Sequence, residues 1–248
     1  KDIDWKIITD TSTALLAFES GELDYVSVPT ANWPDVEASG KYHTELLETN
    51  HTTYLMLNHE VAPFDNKLVR QAMSYAINRD DMCLMAVDGL ATQAVTMARP
   101  SQVFGATEDC TVFNYDPDKA KELLAEAGYP DGFNAGTIST MTGYFEKVAQ
   151  VAQSNLQAVG IQTDIAMQES SAYMTDCING NFEIAVMGVT VGTDYAMYDQ
   201  LYCTQFIDNL NLARYRNPEV DELFAQGVAT VDKQERQEGG EASEVSAA

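Results

Sequence analysis

Positive charge is what this sequence is shortest of. Lys and Arg number 14 against 38 Asp and Glu, for a formal net charge of −24. Such a surface repels phosphate backbones and anionic headgroups, so neither nucleic acid nor an acidic membrane is expected as a partner. No apolar run approaches the ~20 residues that a membrane-spanning helix requires. The four cysteines, Cys83, Cys110, Cys177 and Cys203, form no CxxC pair, which argues against a zinc or thioredoxin-type site. Two disulfides in an oxidising compartment and four unpaired thiols both fit that count. His43, His51 and His59 supply no helical i, i+4 pair, so no metal site is expected. Gly-x-Ser-x-Gly, a Walker loop and a dinucleotide-binding glycine pattern are all missing, and no cofactor is expected. Asp194 and Asp199 are the best carboxylate pair for acid–base work. In so acidic a chain such a pair arises by chance, so a hydrolase is the weakest reading.

What the sequence does have is material for a core. Its 248 residues are 45% apolar, enough for one large domain or two modest ones. Residues 5–28 read as strand, helix, strand, with the helix over 12–19. Residues 29–50 read as irregular, and 53–57 as a strand. Leu68, Val69, Ala72, Met73, Ala76 and Ile77 fall on one face of a helix. Asp80 is a candidate cap for a short helix ending near Gly89. Asp116-Pro117 starts another helix, closed by Gly128. Residues 135–140 predict a strand, 145–159 a helix, and 161–167 a strand of alternating pattern. Ser170 or Ser171 then opens a helix to Gly180, and Ile184-Ala185-Val186-Met187 suits a strand buried on both faces. Asn217-Pro218 opens a last helix. Residues 232–248 have no periodic apolar face and are expected to be a disordered acidic tail.

The β-α-β-α-β order predicts an α/β fold with a parallel or mixed sheet flanked by helices. Ligands on such sheets bind beyond the carboxyl ends of the strands. That places a pocket at residues 139–144 and 188–195. Of the aromatics near these loops, Phe113, Tyr115, Tyr144, Tyr173, Tyr195 and Tyr198, any single one is more often packed than ligand-facing. Between Lys121 and Arg214 the only basic residue is Lys147, while the acids there include Glu146, Asp164, Glu169, Asp194 and Asp199. A carboxylate buried in this lobe would find scarcely any cation, whereas an ammonium would find acceptors.

Two phrases carry a resemblance. One runs from Pro63-Phe64-Asp65 through Val69-Arg70-Gln71-Ala72 to Ile77-Asn78-Arg79. The other runs from Tyr115-Asp116-Pro117 to Gly128-Tyr129-Pro130-Asp131-Gly132-Phe133. With Ser20-Gly21-Glu22-Leu23-Asp24 and Val159-Gly160-Ile161, they resemble the family 5 extracellular solute-binding proteins that feed peptide and nickel ABC transporters.

The resemblance implies a type II periplasmic-binding-protein-like lobe within an incomplete two-lobe architecture. Residues 1–49 would be a remnant of the first lobe with the interlobe crossing, and 50–231 the second, ligand-binding lobe. It also implies a monomer outside the cytoplasm, periplasmic or cell-surface anchored, that delivers a peptide or small-molecule ligand to a membrane permease. In peptide-binding members, an acid within a Trp-x-x-Asp-Tyr stretch grips the ligand's α-amino group. Val191-Gly192-Thr193-Asp194-Tyr195 aligns there, so Asp194 is the implied ammonium acceptor, with Val191, Gly192 and Tyr195 beside it. Val191 stands where the aromatic wall would be. Met141, Thr142 and Tyr144 match a loop that meets the ligand, and the absence of Arg from it argues against dipeptide preference. Nickel chelate or oligosaccharide is the alternative ligand class on the same fold.

Overall fold

A computed structural model describes residues 2–97, 103, 110–190, 192, 198–232 and 234–235. Four strands form one mixed sheet in the order β1-β4-β2-β3: β1 His51–Leu57, β2 Phe133–Thr140, β3 Ile161–Met167 and β4 Ile184–Thr190. β2 is parallel to both β3 and β4, while β1 runs antiparallel to β4, from His51 opposite Thr190 to Leu57 opposite Ile184.

The helices in chain order are α1 Thr11–Glu19, α2 Trp33–Ser39, α3 Lys67–Ala76, α4 Arg79–Val87, α5 Pro117–Glu126, α6 Tyr144–Ala158, α7 Ser170–Asn179, α8 Asp199–Tyr202 and α9 Pro218–Ala229. On one face of the sheet, Leu55, Leu57, Ile138, Ile161, Ile184 and Val186 meet the apolar stripes of α3, α5 and α6. On the other face, Tyr54, Met56, Ala185 and Met187 meet Tyr173 and Cys177 of α7. Side chains alternate across a strand, so one apolar run in β4 serves both layers. Ile184, Ala185 and Val186 are fully buried, Ile184 and Val186 each contributing about 2 kcal/mol by leaving water.

Local chemistry fixes the ends of these elements. The Asp116 carboxylate accepts the Lys119 amide at 2.9 Å and Pro117 opens α5, as the sequence predicts. Gly132 precedes β2 and Gly160 precedes β3. Their backbones approach so closely that a Cβ on Gly132 would strike the Gly160 carbonyl oxygen. Only glycine permits that approach, at a φ of 78°.

The sequence misplaces several elements. No strand forms at 5–8 or 24–28: Trp5, Ile7 and Tyr25 are exposed. Their β-branched and aromatic pattern finds no neighbouring strand among the described residues, and an unpaired strand has no ladder to hold it. The helix between them starts one residue early, capped by Asp10, whose Oδ1 accepts the Thr13 amide at 2.7 Å. The span 29–50 is not wholly irregular, since a 3-10 turn at Thr30–Asn32 leads into α2, with Pro34 in its first turn. Asn78, not Asp80, caps α4, and Glu169, not a serine, caps α7. In β3 the alternation is shallow, because Met167 is exposed. Residues 236–248, expected to be disordered, lie outside the described residues. No helix among the described residues is long and apolar enough to cross a membrane.

Candidate functional site

The strand order places a switch point at the carboxyl end of β2. From β2 the chain crosses by α6 to β3 on one side, then by α7 to β4 on the other. A crevice opens where such connections diverge. Four chain segments meet there: the start of β1 and the ends of β2, β3 and β4.

His51 joins them. Its Nδ1 lies 2.8 Å from Thr190 Oγ1 on β4, and its Nε2 lies 3.0 Å from the Tyr144 hydroxyl at the start of α6. The same hydroxyl is 3.4 Å from Thr53 Oγ1, and the Tyr144 ring stacks on Phe145 at 4.3 Å between centroids. Gly188 makes room for this arrangement: a Cβ there would stand 2.7 Å from His51 Nε2 and 3.2 Å from Phe145 Cζ. The end of β3 is tied in as well, since the Gln168 amide donates to Thr140 O at 2.9 Å. Next to it, the Glu169 carboxylate accepts both the amide and the hydroxyl of Ser171. Those bonds hold its carboxyl below the usual range, so Glu169 is a fixed anion at this rim.

The structure treats the sequence-predicted residues unequally. Tyr144 is at the rim but committed to His51. Thr142 is exposed there. Met141 packs against the Tyr173 cluster. Gly192 is half-buried. Val191, Asp194 and Tyr195 lie outside the described residues, and so does the pairing of Asp194 with Asp199. Tyr173 and Tyr198 are core residues, the Tyr173 hydroxyl donating to Val186 O at 2.6 Å. Phe113 packs edge-on to Tyr75 and Tyr115 is exposed. His51, Thr190 and Glu169 were not predicted. No spacing signal marks His51 and Thr190, because their meeting depends on the β1–β4 register, and Glu169 is only one of many acids in its stretch.

No disulfide joins any of the four cysteines. Burial pushes the Cys177 thiol up to about 11 and the Cys203 thiol up to about 12.

A cavity of about 440 Å³ lies elsewhere, along the outer edge of β1. It is lined by Tyr54 to Leu57, by Lys67 and Arg70 of α3, and by Leu212 and Arg216 before α9. Its wall is therefore not poor in positive charge, unlike the stretch between Lys121 and Arg214. His59 also lines it, edge-on to Tyr215 at 5.4 Å. Burial, then the nearby Arg70 charge, lowers the His59 imidazole to about 4.

Comparison with known proteins places this geometry. The family model described as bacterial extracellular solute-binding proteins, family 5 middle, matches residues 1–208. Heme-binding protein A of Haemophilus influenzae is 28% identical over 240 residues, covering 93% of this chain and 43% of that protein. The glutathione-binding protein GsiB of Salmonella paratyphi A is 31% identical over 247 residues, covering 94% and 48%. Among solved structures, the periplasmic binding protein DppA of Helicobacter pylori, in complex with the peptide STSA, superposes with a TM-score of 0.85. It is 27% identical, covering 96% of this chain and 47% of that one. The chain thus spans about half the length of the curated relatives it matches.

Proposed function

The chain belongs to the family 5 bacterial extracellular solute-binding proteins, and we propose that it carries the ligand-holding lobe, residues 50–231, of the substrate-binding component of an ABC importer. Residues 1–49 would lead into that lobe from the rest of the protein. The complete protein would capture its solute outside the cytoplasm as a monomer and hand it to a membrane permease. The assigned activity is reversible binding, not turnover.

The ligand class follows from the charge of the rim. We assign a peptide, or a similar amine-bearing solute, held by its cationic end. The observation that carries this is the exposed Glu169 carboxylate, held at the carboxyl edge of the sheet by the amide and hydroxyl of Ser171. Lys147 is the one basic residue between Lys121 and Arg214. An ammonium entering there meets anions and hydroxyl acceptors, whereas a buried carboxylate would stay uncompensated. Asp194 is the acid that we assign to the ammonium, in a charge-assisted hydrogen bond. Relatives with peptide and glutathione in their names support the same class.

Mass spectrometry of solute co-purifying with the complete two-lobe protein should find a peptide or other amine. Calorimetry with that solute should show Asp194→Ala weakening binding by about 2–5 kcal/mol, the cost of leaving a buried ammonium unpaired. Unchanged affinity would remove Asp194 from the role. A co-purified solute without a cationic group would remove the ligand class.

A further inference from the structure

The loop between β2 and α6 forms part of the rim, and local sequence does little to hold it. α3, α5 and α7 begin on capping side chains, those of Asn66, Asp116 and Glu169. α6 begins on Gly143, which has no side chain to offer the first amides of the helix. Gly143 stands at a φ of 89°, and a Cβ there would meet nothing within 4 Å. Thr142 before it is exposed as well. Few contacts and a solvated backbone make such a segment easy to displace. β4, by contrast, is buried at Ile184, Ala185 and Val186 and has a strand on either side.

His51 ties the loose segment to the firm one. Its Nε2 meets the Tyr144 hydroxyl at 3.0 Å, and its Nδ1 meets Thr190 Oγ1 at 2.8 Å. A neutral imidazole offers one donor and one acceptor, and a hydroxyl can act as either. Both bonds therefore form with either tautomer, and the ring cannot turn without breaking one. Tyr144 is the first residue of α6 and its ring stacks on Phe145, so the start of the helix follows the hydroxyl. Gly188 lets the imidazole lie against β4, since a Cβ there would stand 2.7 Å from Nε2.

We propose that His51 is a positioning residue for the ligand capture assigned above to this rim, a role that rests on that assignment. It acts through Tyr144 and Thr190 rather than by touching the solute. It holds the loop after β2 at one fixed separation from the end of β4, so the groups that the loop offers are in place before the solute arrives. Contacts arranged in advance bind more tightly, because less ordering is left to be done on binding. Tyr144 serves the site in the same way, with its hydroxyl spent on His51 and not on the ligand.

Nitrogen-15 relaxation of the whole chain reads the tie without any ligand. His51→Phe keeps a ring and loses both polar atoms. Order parameters at the amides of Thr142, Gly143 and Tyr144 should then fall, from about 0.85 toward 0.6, while those of Ile184 to Val186 hold. His51→Gln, whose amide keeps a donor and an acceptor, should recover about half of the loss or more. Capture is read in the complete two-lobe protein, as the solute retained through dialysis and quantified by mass spectrometry, at a temperature where circular dichroism shows each variant folded. His51→Phe should retain about tenfold less than the native protein, and His51→Gln should come within about threefold of it. Unchanged order parameters would overturn the proposal. So would a looser loop with undiminished retention, which would make His51 a structural tie alone. A native protein retaining a solute without an amine would refute the ligand class only, and the retention ratio would still decide the role of His51. A native protein retaining nothing would overturn both.

Discussion

Tyr144 and His51, 93 residues apart in sequence, are joined by a 3.0 Å hydrogen bond, and the other nitrogen of the same imidazole meets Thr190. One ring thereby ties the start of α6 to the end of β4. Tyr144→Phe removes one bond of this bridge and is expected to cost about 0.5–1 kcal/mol, because the site is partly solvated. His51→Ala removes both bonds and is expected to cost more, about 1–2 kcal/mol. In the double variant the tyrosine change should cost less than it does alone, since its closer partner is already gone and only the longer Thr53 contact remains. Urea unfolding of the four proteins decides this, and full additivity would show that the bridge is not formed.

Asn58 is the buried hinge-pin between β1 and the turn before β4. Its Nδ2 donates to Gly180 O and Phe182 O at 2.9 and 3.0 Å, and its Oδ1 accepts the Glu60 amide at 3.0 Å. Asn58→Ala leaves these buried groups without partners, at a cost of about 2–4 kcal/mol. Asn58→Asp should be at least as harmful, because it turns a donor into a second acceptor facing two carbonyl oxygens. A thermal melt unchanged by either substitution would contradict the network.

His59 makes stability depend on pH. Its folded value of about 4 lies below the ordinary 6.5, through burial first and the Arg70 charge second. Between those values the unfolded chain binds a proton that the folded chain refuses. The contribution is therefore complete above pH 6.5 and is lost as pH falls toward 4. Discounted for partial exposure, it amounts to roughly 2 kcal/mol. The many carboxylates titrate nearby, so the measurement is a difference: denaturation of the native chain minus that of His59→Gln across this window. A flat difference would show that His59 is not held neutral.

The parts of this fold legible in the sequence are those whose information is local. The α6 stripe of Val148, Val151, Ala152 and Leu156, the Asp116-Pro117 start of α5, and the doubly buried run of β4 all follow from spacing within one element. Caps were harder. Asn78 and Asp80 are both good capping residues two positions apart, and only the chain's path chooses Asn78. The two missing N-terminal strands show the limit most clearly. Residues 24–28 have strand composition, but a strand exists only if a neighbour accepts it, and that is a fact about distant residues. The same limit hid the rim. The meeting of His51 with Thr190 is a matter of register, and the strand pattern of β1 would read the same one position along.

β4 has strands on both sides and helices over both faces. Backbone amides so placed are freed only when the whole molecule opens, whereas edge amides are freed by local fluctuation. Thr190 is the last residue of that strand, and through it the His51 ring is tied to the strand at the centre of the sheet. The rim around His51 therefore inherits its steadiness from the middle of the fold. A change at Val186, earlier on the same strand as Thr190, should loosen it as surely as a change at the rim itself.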